Sequence, residues 1–227
     1  IEDFNTEQDY GEYVGRVPYS PAHHFDRPPG KTHAEAFRDG VKYVQAEINR
    51  AVEALEKCDT MGAIAAIGRG LHTVQDFFAH SNFVDLSEED KKLAKKALFD
   101  PSKEPPKSLK LTGYDPKAPD PYNPPGDPYP HGKGKNMNAK DNDSHPKFKE
   151  AYEAAVEASK EFIEIVKKKL EEKVGKEKAA KLWSKFKNFE GGRAIFLLPP
   201  PYEKYPPAAA LGNCTNRLMF LWYGEYR

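Results

Sequence analysis

The sequence predicts an all-α fold, for three reasons. Apolar residues recur at intervals of three and four over several long stretches, as they do on one face of a helix. The capping residue Thr32 precedes the first of these stretches, and no stretch alternates between apolar and polar residues as a half-buried strand does. The chain of 227 residues is also long enough to bury the core of one sizeable domain. We therefore expect a single helical domain over residues 1–227 with one insertion at about 99–144.

Six helices are predicted after an irregular start that is rich in Pro and Gly. The first begins after the capping residue Thr32 and runs to about Lys57, with its apolar residues on one side. The second runs from about Thr60 to His80, and its first half is small and apolar nearly all round, which indicates a buried central helix. The other four are expected near Ser87–Leu98, Pro146–Val174, Lys176–Phe189 and Cys214–Trp222.

A proline-rich stretch separates the third helix from the fourth. Ten of the 20 prolines lie between Pro101 and Pro130. Long stretches of this kind within a compact domain are usually functional loops or disordered linkers. Because this one lies between His80 and His145, we interpret it as an insertion over or beside a functional site; a passive disordered loop is the alternative.

The bulk composition excludes some classes of protein. The 35 basic and 35 acidic residues cancel, which gives no support for binding duplex nucleic acid through its phosphates. No run of about 18 apolar residues predicts a membrane span, and the chain does not begin as a signal peptide does. Cys58 and Cys214 are too few for a disulfide framework, although they would form one bridge if the protein is exported.

The most informative motif lies at the end of the second helix, where His72, Asp76 and His80 follow one another at intervals of four. At about 3.6 residues per turn, such positions drift by only about 40° per step and share one face. Imidazole and carboxylate together suit Zn²⁺. The row predicts a metal site; hydrogen-bonded histidines on an amphipathic helix are the alternative.

Two segments carry a resemblance to a known family. The stretch His72–Phe83, HTVQDFFAHSNF, and the stretch Ala22–Thr32, AHHFDRPPGKT, resemble the zinc-dependent phospholipase C and P1-type nuclease superfamily, the first of them especially its Het-C-like relatives. The likeness runs from about Asp9 to Arg227 and is interrupted by the insertion. It implies the helical fold of that superfamily and a zinc-dependent phosphodiester hydrolase.

The resemblance also implies metal ligands. Asp76 matches a carboxylate that bridges two metals, and Asp9 matches the general base, which makes it the candidate catalytic residue. The ligands of a third family zinc have no counterpart, so one or two zinc ions are expected. The matched ligands at the first zinc are Asp9, His23, His72 and Asp76. Those at another zinc are His80, His145 and Glu150, the last after a one-residue shift from Lys149.

Other residues receive supporting roles. Tyr10 matches an aromatic residue that contacts the substrate headgroup. His24 competes with His23 for one coordination position, or else, like Asp26, hydrogen-bonds a ligand and orients it. Two further histidines, His33 and His131, are expected at the surface.

Three functions are candidates for this chain. The leading hypothesis is phospholipase C activity, in which a phospholipid is cleaved to diacylglycerol and a phosphorylated headgroup by a protein that contacts membranes peripherally. A P1-type nuclease would stack single-stranded bases on Tyr114, Tyr122 and Tyr129. A Het-C-like interaction protein would use zinc only for stability. The family likeness favours an extracellular or cell-surface location.

Overall fold

The computed structural model describes residues 19–132, 137–140 and 144–188, and within these ranges the chain is helical with no strand. Two short 3₁₀ helices, Pro21–His23 and Phe83–Asp85, accompany the longer helices. The all-α prediction is confirmed for the described part of the chain. The α-helices there are α1 (His33–Glu56), α2 (Thr60–Ala79), α3 (Glu88–Leu98), α4 (Phe148–Val174) and α5 (Lys176–Lys187).

Helix α1 begins after the capping residue Thr32, as predicted, and α2 and α3 begin close to their predicted starts at Thr60 and Ser87. The Thr32 hydroxyl accepts from the Glu35 backbone N–H at 3.2 Å, and the Glu35 carboxylate accepts from the Thr32 backbone N–H at 2.8 Å. Together these two bonds form a capping box. Asp59 caps α2 by accepting from Gly62, and Ser87 caps α3. Each cap satisfies a backbone N–H that the helix itself leaves unpaired.

Helix α2 is central, as its small and apolar first half predicts. It packs against α1 on one side and α4 on another, while α5 packs on α4 and α1. Gly70 permits a close approach of α4, because a Cβ atom there would lie 2.4 Å from Cζ of Phe162. Toward the end of α2, Phe77 and Phe78 are fully buried, and both contact the ring of Phe83. Phe77 also contacts the rings of Phe25 and Phe37.

The proline-rich insertion packs across the carboxyl end of α2. Thr112 donates its backbone N–H to the carbonyl of His80 at 2.8 Å, and Arg27 donates its own to the carbonyl of Thr112 at 2.8 Å. The Arg27 guanidinium also forms an ion pair with Asp127 at 2.5 Å. These contacts bring the insertion beside the segment that contains the predicted metal row.

Some predictions fall on residues outside the described ranges. They include Asp9, Tyr10 and the closing helix Cys214–Trp222. Cys58, which follows α1, is disulfide-bonded. Among the described helices, none is both long enough and apolar enough to cross a membrane.

Candidate metal centre

A sharp turn at Phe25 brings together side chains that are distant in sequence. Phe25 has a φ of 52°, in the left-handed region that bulky residues rarely adopt. Its ring is fully buried and lies 5.6 Å from the ring of Phe37 and 5.2 Å from that of Phe77, centroid to centroid. Because this buried ring fixes the turn, the neighbouring side chains His24 and Asp26 belong to two different groups.

The first group, which we call site A, consists of His24, His72 and Asp76. His24 Nδ1 lies 2.8 Å from Asp76 Oδ2, and His72 Nε2 lies 3.0 Å from the same oxygen. The two ring nitrogens are 3.1 Å apart. Both histidines are buried, whereas the Asp76 side chain retains 18% of its exposure. Three donor atoms from two parts of the chain thus converge beside solvent.

The electrostatics of site A favour an ionised carboxylate. Burial by itself would raise the pKa of Asp76, because the charged form is poorly solvated there. His72, His80 and the hydrogen bond with His24 outweigh burial and hold that pKa well below its ordinary value. Asp76 is therefore available as an anionic oxygen ligand.

The second group, site B, consists of Asp26, His80 and His131, all of them buried. His80 Nδ1 lies 3.5 Å from Asp26 Oδ1, and His131 Nε2 lies 3.4 Å from the same oxygen. His80 directly follows α2, one helical turn after Asp76, whereas His131 comes from the proline-rich insertion. Site B therefore joins the Phe25 turn, the end of α2 and the insertion.

Tyr19 links the two sites. Its hydroxyl donates to Asp26 Oδ2 at 2.7 Å, and its ring stacks on that of His24 at 5.3 Å. The ring of Tyr114 also stacks on that of Tyr19, with ring centroids 4.0 Å apart. Sites A and B are thus neighbours in one polar region that aromatic rings border.

The donor sets of both sites fit a metal ion, and the spacing of site B also matches that of two zinc ligands, whereas the spacing of site A lies in the hydrogen-bond range. Zinc bonds to imidazole nitrogen and carboxylate oxygen are about 2.0–2.2 Å long, so two ligands of a tetrahedral ion lie roughly 3.3 Å apart. The observed separations are 2.8–3.1 Å in site A and 3.4–3.5 Å in site B. These groups of His and Asp side chains could therefore hold a metal ion.

The structure distributes the predicted ligands unevenly. His72, Asp76 and His80 lie where the helical row places them, although His80 faces site B and the other two form site A. His24 takes the position predicted for His23, which instead packs against the ring of Tyr43 at 4.2 Å. Asp26, predicted to orient a ligand, is a member of site B.

His145 and Glu150 lie apart from both groups. His145 Nε2 is 3.3 Å from the carbonyl of Met137, and its Nδ1 accepts from the backbone of Lys147. Glu150 is exposed in the first turn of α4. Their ligand roles, that of His23, and the roles of Asp9 and Tyr10 outside the described ranges stay predictions.

His131 is the residue that sequence reasoning missed. The prediction of an exposed side chain is wrong, since His131 is only 6% exposed. No spacing relates it to the helical row, and only its position in an insertion next to candidate ligands could have indicated it. His33, also expected at the surface, is half-buried and accepts a hydrogen bond from the Leu111 backbone at 3.0 Å.

The fold and these sites define a class: an all-α domain with clustered His and Asp side chains that could bind a metal. The family model of the VWA7 N-terminal domain matches residues 1–105 of the chain, which is similar to that domain over this range. No curated protein and no solved structure matches the chain. The matched range contains all of site A, and Asp26 and His80 of site B, but not His131.

This match corrects the family suggested by the motifs. The assignment to the phospholipase C and P1 nuclease superfamily, Het-C-like relatives included, is wrong, because the matching family is that of the VWA7 N-terminal domain. The hydrolase function inferred from it, with its nuclease and Het-C-like alternatives, is wrong for the same reason. Any helix with His and Asp at intervals of four places them on one face, where they can bind a metal. A His-x3-Asp-x3-His row therefore indicates a metal site but does not identify a family.

Proposed function

We propose that this domain binds zinc at site A, with His24, His72 and Asp76 as ligands. The observation that supports it is the mutual approach of three donor atoms, 2.8–3.1 Å apart, from two separate parts of the chain. Burial of two imidazoles and an ionised carboxylate in one place is costly unless their charges and lone pairs are satisfied. A bound cation satisfies all three at once.

The ligand types favour zinc over the hard cations. Magnesium and calcium prefer oxygen ligands and larger coordination numbers, whereas two imidazole nitrogens with one carboxylate suit Zn²⁺. Three protein ligands leave a fourth position of a tetrahedral shell for water or another small ligand. A zinc ion bound there would supply a Lewis acid. The partial exposure of the Asp76 side chain provides contact with solvent.

Zinc content per chain tests the proposal. Purified protein is loaded with zinc, separated from free metal, and measured by elemental analysis. We expect His72→Ala to lower the zinc content by one ion per chain and to weaken binding more than roughly 100-fold, because losing an outer hydrogen-bond partner alone costs 10–100-fold.

His33→Gln is the matched control, since His33 is a half-buried histidine at the start of α1 that belongs to neither site. This variant should retain the full zinc content. A His72→Ala variant that is folded and binds as much zinc as the wild type would refute the proposal.

Three further expectations stay predictions. They are that the domain is an enzyme, that it binds a phosphodiester or a membrane surface, and that it does not bind duplex nucleic acid. Each needs its own assay. An extracellular or cell-surface location is supported by the disulfide bond of Cys58, because disulfides persist in oxidising compartments. Recovery of the native protein only from the cytosol would count against that location.

A further inference from the structure

We infer that site B is a second zinc site, in which Asp26, His80 and His131 bind an ion that attaches the proline-rich insertion to the end of α2. This inference goes beyond the proposed function, because sites A and B share no side chain. Either site can therefore be present when the other is absent, and variants separate the two outcomes.

The spacing in site B fits ligands of one ion better than hydrogen-bonded partners. Good N–H···O hydrogen bonds have donor–acceptor distances of about 2.7–3.2 Å. The two ring nitrogens lie 3.4 and 3.5 Å from Asp26 Oδ1, beyond that range. Ligands of a tetrahedral zinc lie roughly 3.3 Å apart, close to the observed separations.

Asp26 is held in place as a ligand by the residues around it. Its Oδ2 accepts from the hydroxyl of Tyr19 at 2.7 Å, and its Oδ1 accepts from the hydroxyl of Thr112 at 2.8 Å. The residue is only 2% exposed. Hydrogen bonds of this kind orient metal-binding carboxylates, and they leave Oδ1 with a second lone pair for an ion.

His131 shows the arrangement that a metal-binding histidine requires. Its Nδ1 lies 3.2 Å from the carbonyl of Gly113, which places the proton on Nδ1 when that hydrogen bond forms. In the neutral ring, Nε2, the nitrogen that faces Asp26, then presents a lone pair. A lone pair and a carboxylate oxygen repel one another unless a cation or a proton lies between them.

His80 completes the donor set. Its Nδ1 is 3.5 Å from Asp26 Oδ1 and 3.0 Å from the carbonyl of His24. When the ring proton lies on Nε2, this nitrogen presents a lone pair to a metal ion in place of a hydrogen bond to that carbonyl. The ring also packs edge-on against His131, with centroids 4.8 Å apart, so both imidazoles reach the same region.

A second ion would have a structural consequence. The insertion already contacts α2 through the backbone bonds of Thr112 with His80 and of Lys140 with Ala79, both 2.8 Å long. A ligand bond through His131 would add a side-chain link between residues far apart in sequence. Zinc should therefore protect the insertion against proteolysis.

The test is zinc content per chain in four proteins. The wild type should bind two ions, and His131→Gln and His72→Ala one each. His145→Gln should keep both ions, although the sequence resemblance predicts that His145 and His80 bind the same zinc. Limited trypsin digestion should cut the insertion of zinc-loaded His131→Gln at least about 10-fold faster than that of the zinc-loaded wild type, with His33→Gln as the matched control.

Each outcome decides between the two proposals. One zinc in the wild type, lost in His72→Ala and kept in His131→Gln, overturns the inference and supports site A. One zinc lost in His131→Gln and kept in His72→Ala supports the inference and refutes site A. Loss of an ion in His145→Gln but not in His131→Gln also overturns the inference. If His131→Gln does not fold, cobalt titration of His72→Ala replaces it. Visible absorption that saturates at one equivalent supports site B, and no absorption overturns it.

Discussion

Glu47 is a fully buried carboxylate in α1 whose charge is balanced from two helices. Its Oε2 accepts from Arg69 of α2 at 2.9 Å, and its other oxygen accepts from Arg50, one turn along α1. Burial, followed by the nearby Glu47 charge, raises the pKa of Tyr43, whose ring in turn packs on His23. A single carboxylate thus connects the first two helices.

We predict that Glu47→Gln lowers the free energy of unfolding by about 2–3 kcal/mol. Breaking a buried ion pair costs roughly 3–5 kcal/mol, and we expect less because the Arg50 side chain is 55% exposed and can reach water. Urea denaturation measures the change. Glu53→Gln, an exposed site on the same helix, is the control and should change stability by no more than about 0.5 kcal/mol. Equal stability of both variants would show that the Glu47 charge contributes nothing.

At the residue scale the spacing favoured His23 as the ligand over its neighbour His24, whereas the structure groups His24 with His72 and Asp76. The decision is made by the left-handed turn at Phe25, which depends on a ring buried by Phe37 and Phe77. Such tertiary contacts are absent from the local pattern, whereas the i, i+4 relation of His72 and Asp76 is local and was predicted.

At the scale of elements, two glycines allow aromatic rings to reach helices. A Cβ atom at Gly40 of α1 would lie 2.5 Å from Cε1 of Phe25, and one at Gly70 of α2 would lie 2.4 Å from Cζ of Phe162. Both rings are fully buried and cannot move away freely. The Phe25 ring, however, belongs to the turn between sites A and B, while Phe162 belongs to α4.

We predict that Gly40→Ala weakens zinc binding by about 10-fold and destabilises the domain by about 1–2 kcal/mol. Overpacking a core costs roughly 1–3 kcal/mol, and alanine returns at most about 1 kcal/mol through its helix propensity. Displacement of Phe25 shifts the adjacent His24 and Asp26, and misorienting ligands costs affinity. Calorimetric zinc titration and urea denaturation measure both effects.

Gly70→Ala is the matched control for that prediction. It introduces the same methyl group into a neighbouring helix against a ring of the same kind, so it should destabilise the domain to a similar extent. Its zinc affinity should stay within about 2-fold of the wild type, since Phe162 contacts the opposite side of α2 from His72. Equal loss of affinity in both variants would mean that general loosening, and not the Phe25 turn, weakens the site.

Helices and insertion differ in how far the sequence predicts them. The start of α1 was predicted from the capping residue Thr32, and capping by Thr32, Asp59 or Ser87 acts within three residues of the chain. The path of the insertion depends on pairing with distant residues, as between Arg27 and Gly113 or Gly113 and Pro130. His131 is buried by that path, and no local pattern specifies it.

At the scale of the whole molecule, the candidate metal centre lies where three parts of the chain meet. The Phe25 turn provides His24 and Asp26, the end of α2 provides His72, Asp76 and His80, and the insertion provides His131. The turn and α2 lie within the range that is similar to the VWA7 N-terminal domain, whereas His131 lies outside it. Ions at this junction would stabilise contacts between parts that local structure does not join.

We therefore predict that removing metal lowers the melting temperature of the whole domain. An ion that binds only the folded state at 100 times its Kd contributes about 2.7 kcal/mol. For a domain of this size each kcal/mol corresponds to about 2–4 °C, so a chelator should lower Tm by about 5–11 °C per ion. Differential scanning calorimetry of zinc-loaded and chelated protein measures the shift, and adding zinc back should reverse it while magnesium should not. The double variant His72→Ala/His131→Gln is the control, and its Tm should not respond to the chelator. An equal response in that variant would mean that the stabilising ion binds elsewhere in the chain.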